Sequence, residues 1–345
     1  MNDDSLAGAL REQLDRLLAG ECTPAVVRQI ERGGDSAALW AQLVDSGFLD
    51  AMVPESAGGA GLSLAEAFEL FVVEGRHALP LPMAHTMFVR ALLERAGLGA
   101  PPGPIAIASR TRWAADGGLS CPGVPFGLVA EWVATDHPNG WLLLPVQAAE
   151  RRDTGVHGSQ RADLHWAAVP PDSLGARQHV AWAEAGAALA AAQLAGTMQR
   201  VLELSVAFVN QREQFGRPLG KFQAVQHQLA VMAEQVTAAH VAARIGCSGT
   251  GPEPVPLRAA MAKARASEAA TLAATIAHAV HGAIGVTAEF DLQLYTRRLH
   301  EGRADFGAEQ HWQRVLGHAL LSSGADSTLD FMRRELIPPN PEIAP

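Results

Sequence analysis

The stretch from Gln211 to Met232, QREQFGRPLGKFQAVQHQLAVM, constrains the fold of this chain more than any other. Before it, residues 187–210 are rich in Ala, Leu and Val, and Gly196 is their one helix breaker, which predicts a long helix. The corner that follows holds three breakers within five residues: Gly216, Pro218 and Gly220. Apolar residues then return at helical spacing: Phe222, Val225, Leu229, Met232 and Val236. The pattern therefore predicts a helical hairpin with a broken corner.

Four side chains at this corner have binding chemistry: Arg212, Gln214, Phe215 and Gln223. A fixed guanidinium, an amide and an aromatic ring can bind a phosphate and stack on an adenine. The alternative is structural, with Arg212 paired to a nearby carboxylate and Phe215 covering the core. The residues by themselves leave both interpretations open.

The run R-E-Q-F-G-R-P-L-G-K-F-Q-A-V-Q-H-Q-L-A resembles the acyl-CoA dehydrogenase signature R-x-x-F-G-x-P-x-x-x-x-Q-x-x-x-x-x-L-A. In that family the loop of one subunit holds the ADP half of a FAD that sits mainly in the neighbouring subunit. The resemblance implies that Arg212 meets the pyrophosphate and that Gln214 and Phe215 lie along the ADP ribose and the flavin edge. It implies that Gln223 lies near the adenine end.

A second segment, A-V-H-G-A-I-G-V-T-A-E at Ala279–Glu289, resembles the family turn Q-V-x-G-G-x-G-x-T-x-E. There, backbone N–H groups approach the FAD pyrophosphate, which glycine permits because it has no side chain. The resemblance implies cofactor contacts at His281, Gly282 and Gly285, and at Gln310, which matches a later polar residue. Ala279 and Ala283 replace the family's Gln and second Gly, which implies weaker FAD binding. Alternatively, the segment is only a tight helix turn with His281 in the core.

The order of patterns predicts an α+β chain that is mostly α. Residues 1–100 are predicted to be an N-terminal helical domain, in which Ser63 and Glu66 form a capping box. Short apolar runs predict a reduced β-domain over residues 101–180: Ile105–Ala108, Leu128–Val133, Trp141–Val146 and Trp166–Val169. Residues 181–336 are predicted to be helical and residues 337–345 a tail. The resemblance implies the acyl-CoA dehydrogenase fold, with a small β-barrel in the middle and a C-terminal four-helix bundle.

The catalytic base is the clearest departure from the family pattern. The family removes the α-proton of an acyl-CoA thioester with a glutamate, and a gapless count from Gly285 puts Phe306 at that position. Phenylalanine cannot abstract a proton. Some members place the glutamate ahead of the signature, where Glu184 is the available carboxylate. A surface glutamate favoured by the helix dipole is the other interpretation of Glu184. Asp305 lies next to the expected place, but its side chain is shorter and out of phase.

The charge, the cysteine and histidine positions, and the apolar runs of the sequence bear on whether the chain binds nucleic acid, a metal or a membrane. The net charge of −9 argues against a nucleic-acid surface. Three widely spaced cysteines fit a reducing cytoplasm, and His278 and His281 lack a third ligand for a metal. No apolar run is expected to reach membrane-spanning length, and the N-terminus shows no basic-then-apolar segment.

The resemblance implies an oxidoreductase subunit for FAD-dependent α,β-desaturation of an acyl-CoA. The family's T-x-P-x-x-G-S-D and K-x-W-I-T segments are missing, so the resemblance implies a flavin ring held in a partner. It implies the short subunit of an α2β2 heterotetramer acting on steroid-derived or other bulky acyl groups, with an electron-transfer flavoprotein or similar acceptor. Two alternatives stay open: a structural subunit that binds no flavin, or a self-sufficient homo-oligomer that uses Glu184.

Overall fold

The computed structural model describes residues 6–249 and 251–337. The described residues form two compact units. The first contains residues 6–70, 79–186 and 251–253, and the second contains residues 71–78, 187–249 and 254–337. The predicted domain limits at residues 100 and 180 stay predictions. The predicted tail lies outside the described residues, apart from Ile337.

The chain begins with helices, as its pattern indicates: α1 (Leu6–Glu21), α2 (Pro24–Glu31), α3 (Ala37–Asp45), α4 (Leu64–Arg76) and α5 (Met83–Arg95). The capping box at the start of α4 is confirmed. Ser63 N and Oγ lie 2.8 and 2.6 Å from Glu66 Oε2, and Glu66 N donates to Ser63 Oγ at 3.3 Å. The hydrogen bond from the Ser63 side chain lowers the pKa of Glu66.

The β-region consists of two four-stranded sheets. The first has the order β1 (Ile105–Ile107), β4 (Trp132–His137), β5 (Gly140–Pro145) and β8 (Leu174–Ala176), with β1 parallel to β4 and the other pairs antiparallel. The second is antiparallel, with the order β2 (Arg112–Trp113), β3 (Leu119–Val124), β7 (Ala162–Trp166) and β6 (Glu150–Asp153). Buried residues from both sheets share one core, among them Val133, Leu144, Leu164 and Trp166. The barrel that the resemblance implies takes this two-sheet form.

Two of the four predicted strands are displaced. The predicted strand Leu128–Val133 begins only at Trp132, because Phe126 has a φ of 60° and its carbonyl accepts from Val129 N and Ala130 N in a turn. Of the predicted strand Trp166–Val169, only Trp166 lies in a strand, as the last residue of β7. There Ala162, Leu164 and Trp166 are buried, and the residues between them are exposed.

The second unit is helical. It contains the end of α4 together with α6 (Trp182–Gln211, from residue 187), α7 (Gln223–Gly246), α8 (Pro256–His281), α9 (Leu292–Ala304), α10 (Glu309–Ser322) and the short α11 (Thr328–Phe331). A one-turn π-helix, Met332–Leu336, follows. The long helices on both sides of the corner are confirmed. The described part of the segment between α7 and α8 is a loop, as expected.

One helix in the described part of the chain, Pro256–Val286, is long and apolar enough to cross a membrane by length and composition alone. The expectation that no run reaches this length is therefore wrong on that criterion. The reason is that α8 is rich in alanines, many of them buried in the protein. Half of its most apolar window is buried, and core helices of soluble proteins meet the same criterion, so the evidence for a membrane span is weak.

Candidate cofactor-binding site

The corner between α6 and α7 is a miniature β-hairpin. Residues Glu213–Gln214 form β9 and Arg217–Pro218 form β10, with Gln214 opposite Arg217. The two connecting residues both have positive φ, 51° at Phe215 and 76° at Gly216. Positive φ at both positions is what a type I′ hairpin turn requires. The turn holds the Phe215 side chain away from the chain, 91% exposed.

Hydrogen bonds fix the base of this hairpin. Leu219 N donates to Arg212 O at 2.8 Å, and Gln226 Nε2 donates to Gly220 O at 2.9 Å. A Cβ at Gly220 would lie 2.8 Å from Asn210 Oδ1 and 3.5 Å from Val209 O, so the loop packs closely against the end of α6. The corner is therefore a protruding hairpin whose base is fixed by hydrogen bonds.

The charge of the corner is not neutralised within the described part of the chain. Arg212, Arg217 and Lys221 are all exposed, and no carboxylate in residues 6–249 or 251–337 lies within ion-pair distance of them. Other arginines of this acidic protein do have partners, such as Arg76 with Glu203 at 2.7 Å and Arg90 with Asp50 at 2.9 Å. Both features of the structural alternative, a paired Arg212 and a core-covering Phe215, are absent there. Exposed cations grouped in this way attract an anion.

The second segment is a turn of 3-10 helix, Gly282–Val286, at the end of α8. Gly282 has φ 66° and ψ −150°, and a Cβ there would meet open space. Gly285 is buried against the Cβ of His281 and the Leu292 side chain. Gly282, Ala283 and Ile284 are exposed, so the turn presents its backbone to solvent.

His281 lies beneath this turn and is 5% exposed. Its Nδ1 lies 2.8 Å from Ala277 O, and within residues 6–249 and 251–337 its buried Nε2 has no hydrogen-bond partner. Burial lowers the pKa of His281, and burial also lowers that of His278, whose Nε2 lies 3.0 Å from Thr296 Oγ1. The imidazole of His281 is thus a buried ring. Its Nε2, which has no hydrogen-bond partner among the described residues, belongs to the residue that directly precedes the exposed Gly282–Val286 turn.

The hairpin and the turn lie at the same end of the second unit. Phe208, whose carbonyl accepts from Arg212 N at 2.8 Å, stacks on His281 with ring centroids 4.4 Å apart. Phe290 closes the cluster, 6.0 Å from Phe208 and 5.3 Å from His281. The fold thereby brings the signature corner and the Gly282–Val286 turn together, although Gly282 follows Lys221 by 61 positions in the sequence.

Two other predicted cofactor-binding residues, Gln223 and Gln310, form no hydrogen bond with the Phe208, His281 and Phe290 cluster within the described residues. Gln223 is exposed at the start of α7, directly after the hairpin, and Gln310 is exposed in the first turn of α10. Glu184 lies partly buried in the first turn of α6, where the helix dipole favours a carboxylate. Its role as a base stays a prediction.

Phe306, to which the gapless count from Gly285 leads, is held in a tightly fixed turn between α9 and α10. It is 5% exposed, has a φ of 52°, and its carbonyl accepts from Trp312 Nε1 at 3.0 Å. The next residue, Gly307, has a φ of 96°. Lys263, fully buried on α8, donates to the carbonyls of Arg303 and Gly307 at 2.9 Å each and to Ser267 Oγ at 2.7 Å. No ionisable side chain occupies position 306, yet the backbone there is fixed from two directions.

Comparison with known proteins assigns these features to a family. Residues 7–98 match the acyl-CoA dehydrogenase N-terminal domain, and residues 175–320 match the acyl-CoA dehydrogenase C-terminal domain. The chain is 31% identical to acyl-CoA dehydrogenase IpdE2 of Mycobacterium tuberculosis over 84% of this chain and 90% of that protein. The chain belongs to the acyl-CoA dehydrogenase family.

Two solved structures show the same fold. The ChsE4-ChsE5 complex from Mycobacterium tuberculosis matches over 94% of this chain and 100% of its own, with a TM-score of 0.80 and 21% identity. The Tcur3481-Tcur3483 steroid ACAD G363A variant matches over 93% of this chain and 99% of its own, with a TM-score of 0.76 and 26% identity. The predicted fold, with N-terminal helices, a middle β-region and C-terminal helices, is confirmed.

The residues of the second unit fit the FAD that acyl-CoA dehydrogenases generally bind. The unpaired cations of the corner suit a diphosphate, the exposed Phe215 ring suits stacking, and the open Gly282 backbone allows close approach. The pattern of the sequence did not single out Arg217, Lys221 or Gln226. All three fall on unspecified positions of the signature, and the pairing of Arg217 with Gln214 is seen only in the structure.

Proposed function

We propose that this chain is the cofactor-clamping subunit of a heteromeric, FAD-dependent acyl-CoA dehydrogenase of the cytoplasm. The observation that carries the proposal is the braced hairpin with unpaired cations and an exposed ring, next to an open glycine turn. A projection of this kind is suited to reach a ligand that lies mainly in another subunit. The heteromeric ChsE4-ChsE5 and Tcur3481-Tcur3483 structures support a partner subunit.

In the proposed reaction, an acyl-CoA thioester loses a proton from Cα and a hydride from Cβ. FAD supplies the hydride acceptor when bound, and an electron-transfer flavoprotein or similar protein then takes the electrons. On this chain, Arg212 and Gln214 would hold the pyrophosphate and ribose, Phe215 would lie along the flavin edge, and Gln223 would lie near the adenine. Gly282 would allow backbone N–H groups to approach the pyrophosphate, and Gly285 would let the turn pack closely on His281 and Leu292.

We infer that the partner supplies the proton-abstracting glutamate. Phe306 holds the corresponding place on this chain, and its buried ring brings no group that could accept a proton. The steroid ACAD relative supports a steroid-derived or similarly bulky acyl group as the substrate.

Spectra of the purified protein test this proposal. The chain should be colourless alone and should show flavin absorption when purified together with its partner subunit. Arg212→Ala should remove the flavin absorption and leave the far-ultraviolet circular dichroism unchanged. Colourless protein in both preparations would instead indicate a structural subunit. A yellow, active chain without a partner would indicate a self-sufficient enzyme, in which Glu184→Ala should abolish turnover but not colour.

A further inference from the structure

Alternation along the corner hairpin places a second guanidinium beside Arg212. Successive residues of a strand point to opposite faces, and directly paired residues share a face. Gln214 pairs with Arg217, so these two residues share one face. Arg212 lies just before β9, two residues before Gln214, and its carbonyl accepts from Leu219 N at 2.8 Å, so the pairing continues to Arg212 and assigns it to the same face. Glu213, the one carboxylate of the hairpin, pairs with Pro218 on the opposite face. One face therefore carries two arginines and an amide without an acid.

The position of Arg217 is fixed by an aromatic contact. Its Cζ lies 4.1 Å from the centroid of the Phe222 ring, and Phe222 in turn meets Phe215 edge-on with centroids 6.2 Å apart. A ring face offers the guanidinium an electrostatic attraction but no lone pair, so the N–H groups of Arg217 stay available for another acceptor. Because the side chain is already ordered, less conformational entropy is lost when it binds a ligand.

The ligand that suits this face is an anion with several oxygens. Two guanidinium groups provide up to ten N–H donors, and this geometry matches phosphate oxygens. Lys221 adds a third exposed cation in the same corner. A carboxylate of the partner subunit is the alternative acceptor. A single guanidinium would be enough to bind it, so it would not account for two arginines on one face.

We propose that Arg217 is a second cationic anchor for the diphosphate of FAD, acting beside Arg212. This inference rests on the proposed function, and it adds a residue outside the signature's fixed positions. Arg217 holds the phosphate oxygens, and the contact with Phe222 holds Arg217 in place.

The test uses the complex with its partner subunit, stripped of flavin and titrated with FAD, with ADP as a competing probe. Loss of one charge-assisted contact predicts that Arg217→Ala weakens FAD binding about tenfold or more. ADP binding should weaken with it, and Arg217→Lys should show a smaller loss. Arg16→Ala, which removes an exposed cation from α1 in the other unit, is the matched control and should bind FAD like the wild type.

Three outcomes would overturn the inference. Wild-type affinity in Arg217→Ala, with flavin lost in Arg212→Ala, would reject the role of Arg217 and leave the proposed function standing. Loss of subunit assembly in Arg217→Ala, with normal FAD binding in the fraction that assembles, would show that Arg217 contacts the partner instead. A wild-type complex that binds no flavin would reject both the proposed function and the inference.

Discussion

Two buried basic residues show how the fold accommodates a titratable side chain without solvent. Lys263 has three oxygen acceptors around Nζ, one for each N–H of an ammonium group. His85, 1% exposed, instead accepts from Ile107 N at 3.3 Å through Nδ1, and burial lowers its pKa to about 3. Lys263 is compatible with a charge, whereas His85 is stable in the fold only as a neutral ring.

The pKa of His85 predicts a pH dependence of stability. The pKa is 6.5 in the absence of burial and about 3 in the fold, so the unfolded chain binds more protons between these values. The contribution of His85 is therefore fully present above pH 6.5 and is lost as the pH falls from there toward 3. We expect His85→Gln to reduce the slope of the unfolding free energy against pH by about 1.4 kcal/mol per pH unit in this window.

Urea unfolding of the wild type and the His85 variant at several pH values measures this slope. His227→Gln, which makes the same substitution at an exposed histidine on α7, is the matched control. Parallel curves for the wild type and His85→Gln would show that His85 is not the source of the pH dependence.

At the scale of elements, the sequence predicts long helices better than short strands. The helices around the corner were predictable because breakers are rare in them and apolar residues recur with the right period. The strand β3 was missed because it contains Pro122 and Gly123, which are tolerated where its register with β7 shifts between Cys121 and Val124. The β9–β10 hairpin is too short to show a period at all.

The residues of the candidate site also differ in how well the sequence predicts them. Arg212, Gln214, Phe215 and Gln223 could be named from the signature, since their spacing along the chain is the pattern itself. The environment of Lys263 could not be predicted, because an alanine-rich helix does not reveal which of its faces packs against the turn at Gly307. Contacts between residues far apart in the sequence, such as that of Lys263 with the Gly307 carbonyl, could therefore be identified only from the structure.

The corner hairpin predicts a variant that separates binding from folding. Asparagine is favoured over phenylalanine at positive φ in a type I′ turn, and the Phe215 ring is exposed. We therefore expect Phe215→Asn to leave the unfolding free energy unchanged or to raise it by up to about 1 kcal/mol. The same change should weaken flavin retention in the assembled complex, because the ring that would lie along the cofactor is lost.

Differential scanning calorimetry and the ratio of flavin to protein absorbance measure the two effects. Gly216→Val is the opposite control, since it strains the turn and should lower stability as well as flavin content. Full flavin content in Phe215→Asn would show that the exposed ring does not contact the cofactor.

At the scale of the whole molecule, the corner is a basic region on an acidic protein, with a net charge of −9. An apolar stripe continues from it along α7. Phe222, Val225 and Leu229 are only partly buried, whereas Met232 and Val236, further along the same helix, are fully buried. The start of α7 is thus incompletely covered by its own chain, which is compatible with a partner subunit next to the cofactor-binding corner.

Because the start of α7 is only partly buried by its own chain, we expect that a substitution there can weaken subunit association without lowering the stability of the isolated chain. A charge at Leu229 would be solvated in the isolated chain but would have to be desolvated in a subunit interface, at a cost of more than about 1.4 kcal/mol. Leu229→Asp should therefore weaken association with the partner at least tenfold, as measured by light scattering after size exclusion over a range of concentrations, with little change in melting temperature. His227→Asp adds the same charge to the opposite side of α7 and should assemble normally. Equal assembly of both variants would show that this stripe faces solvent in the complex and that the partner binds elsewhere.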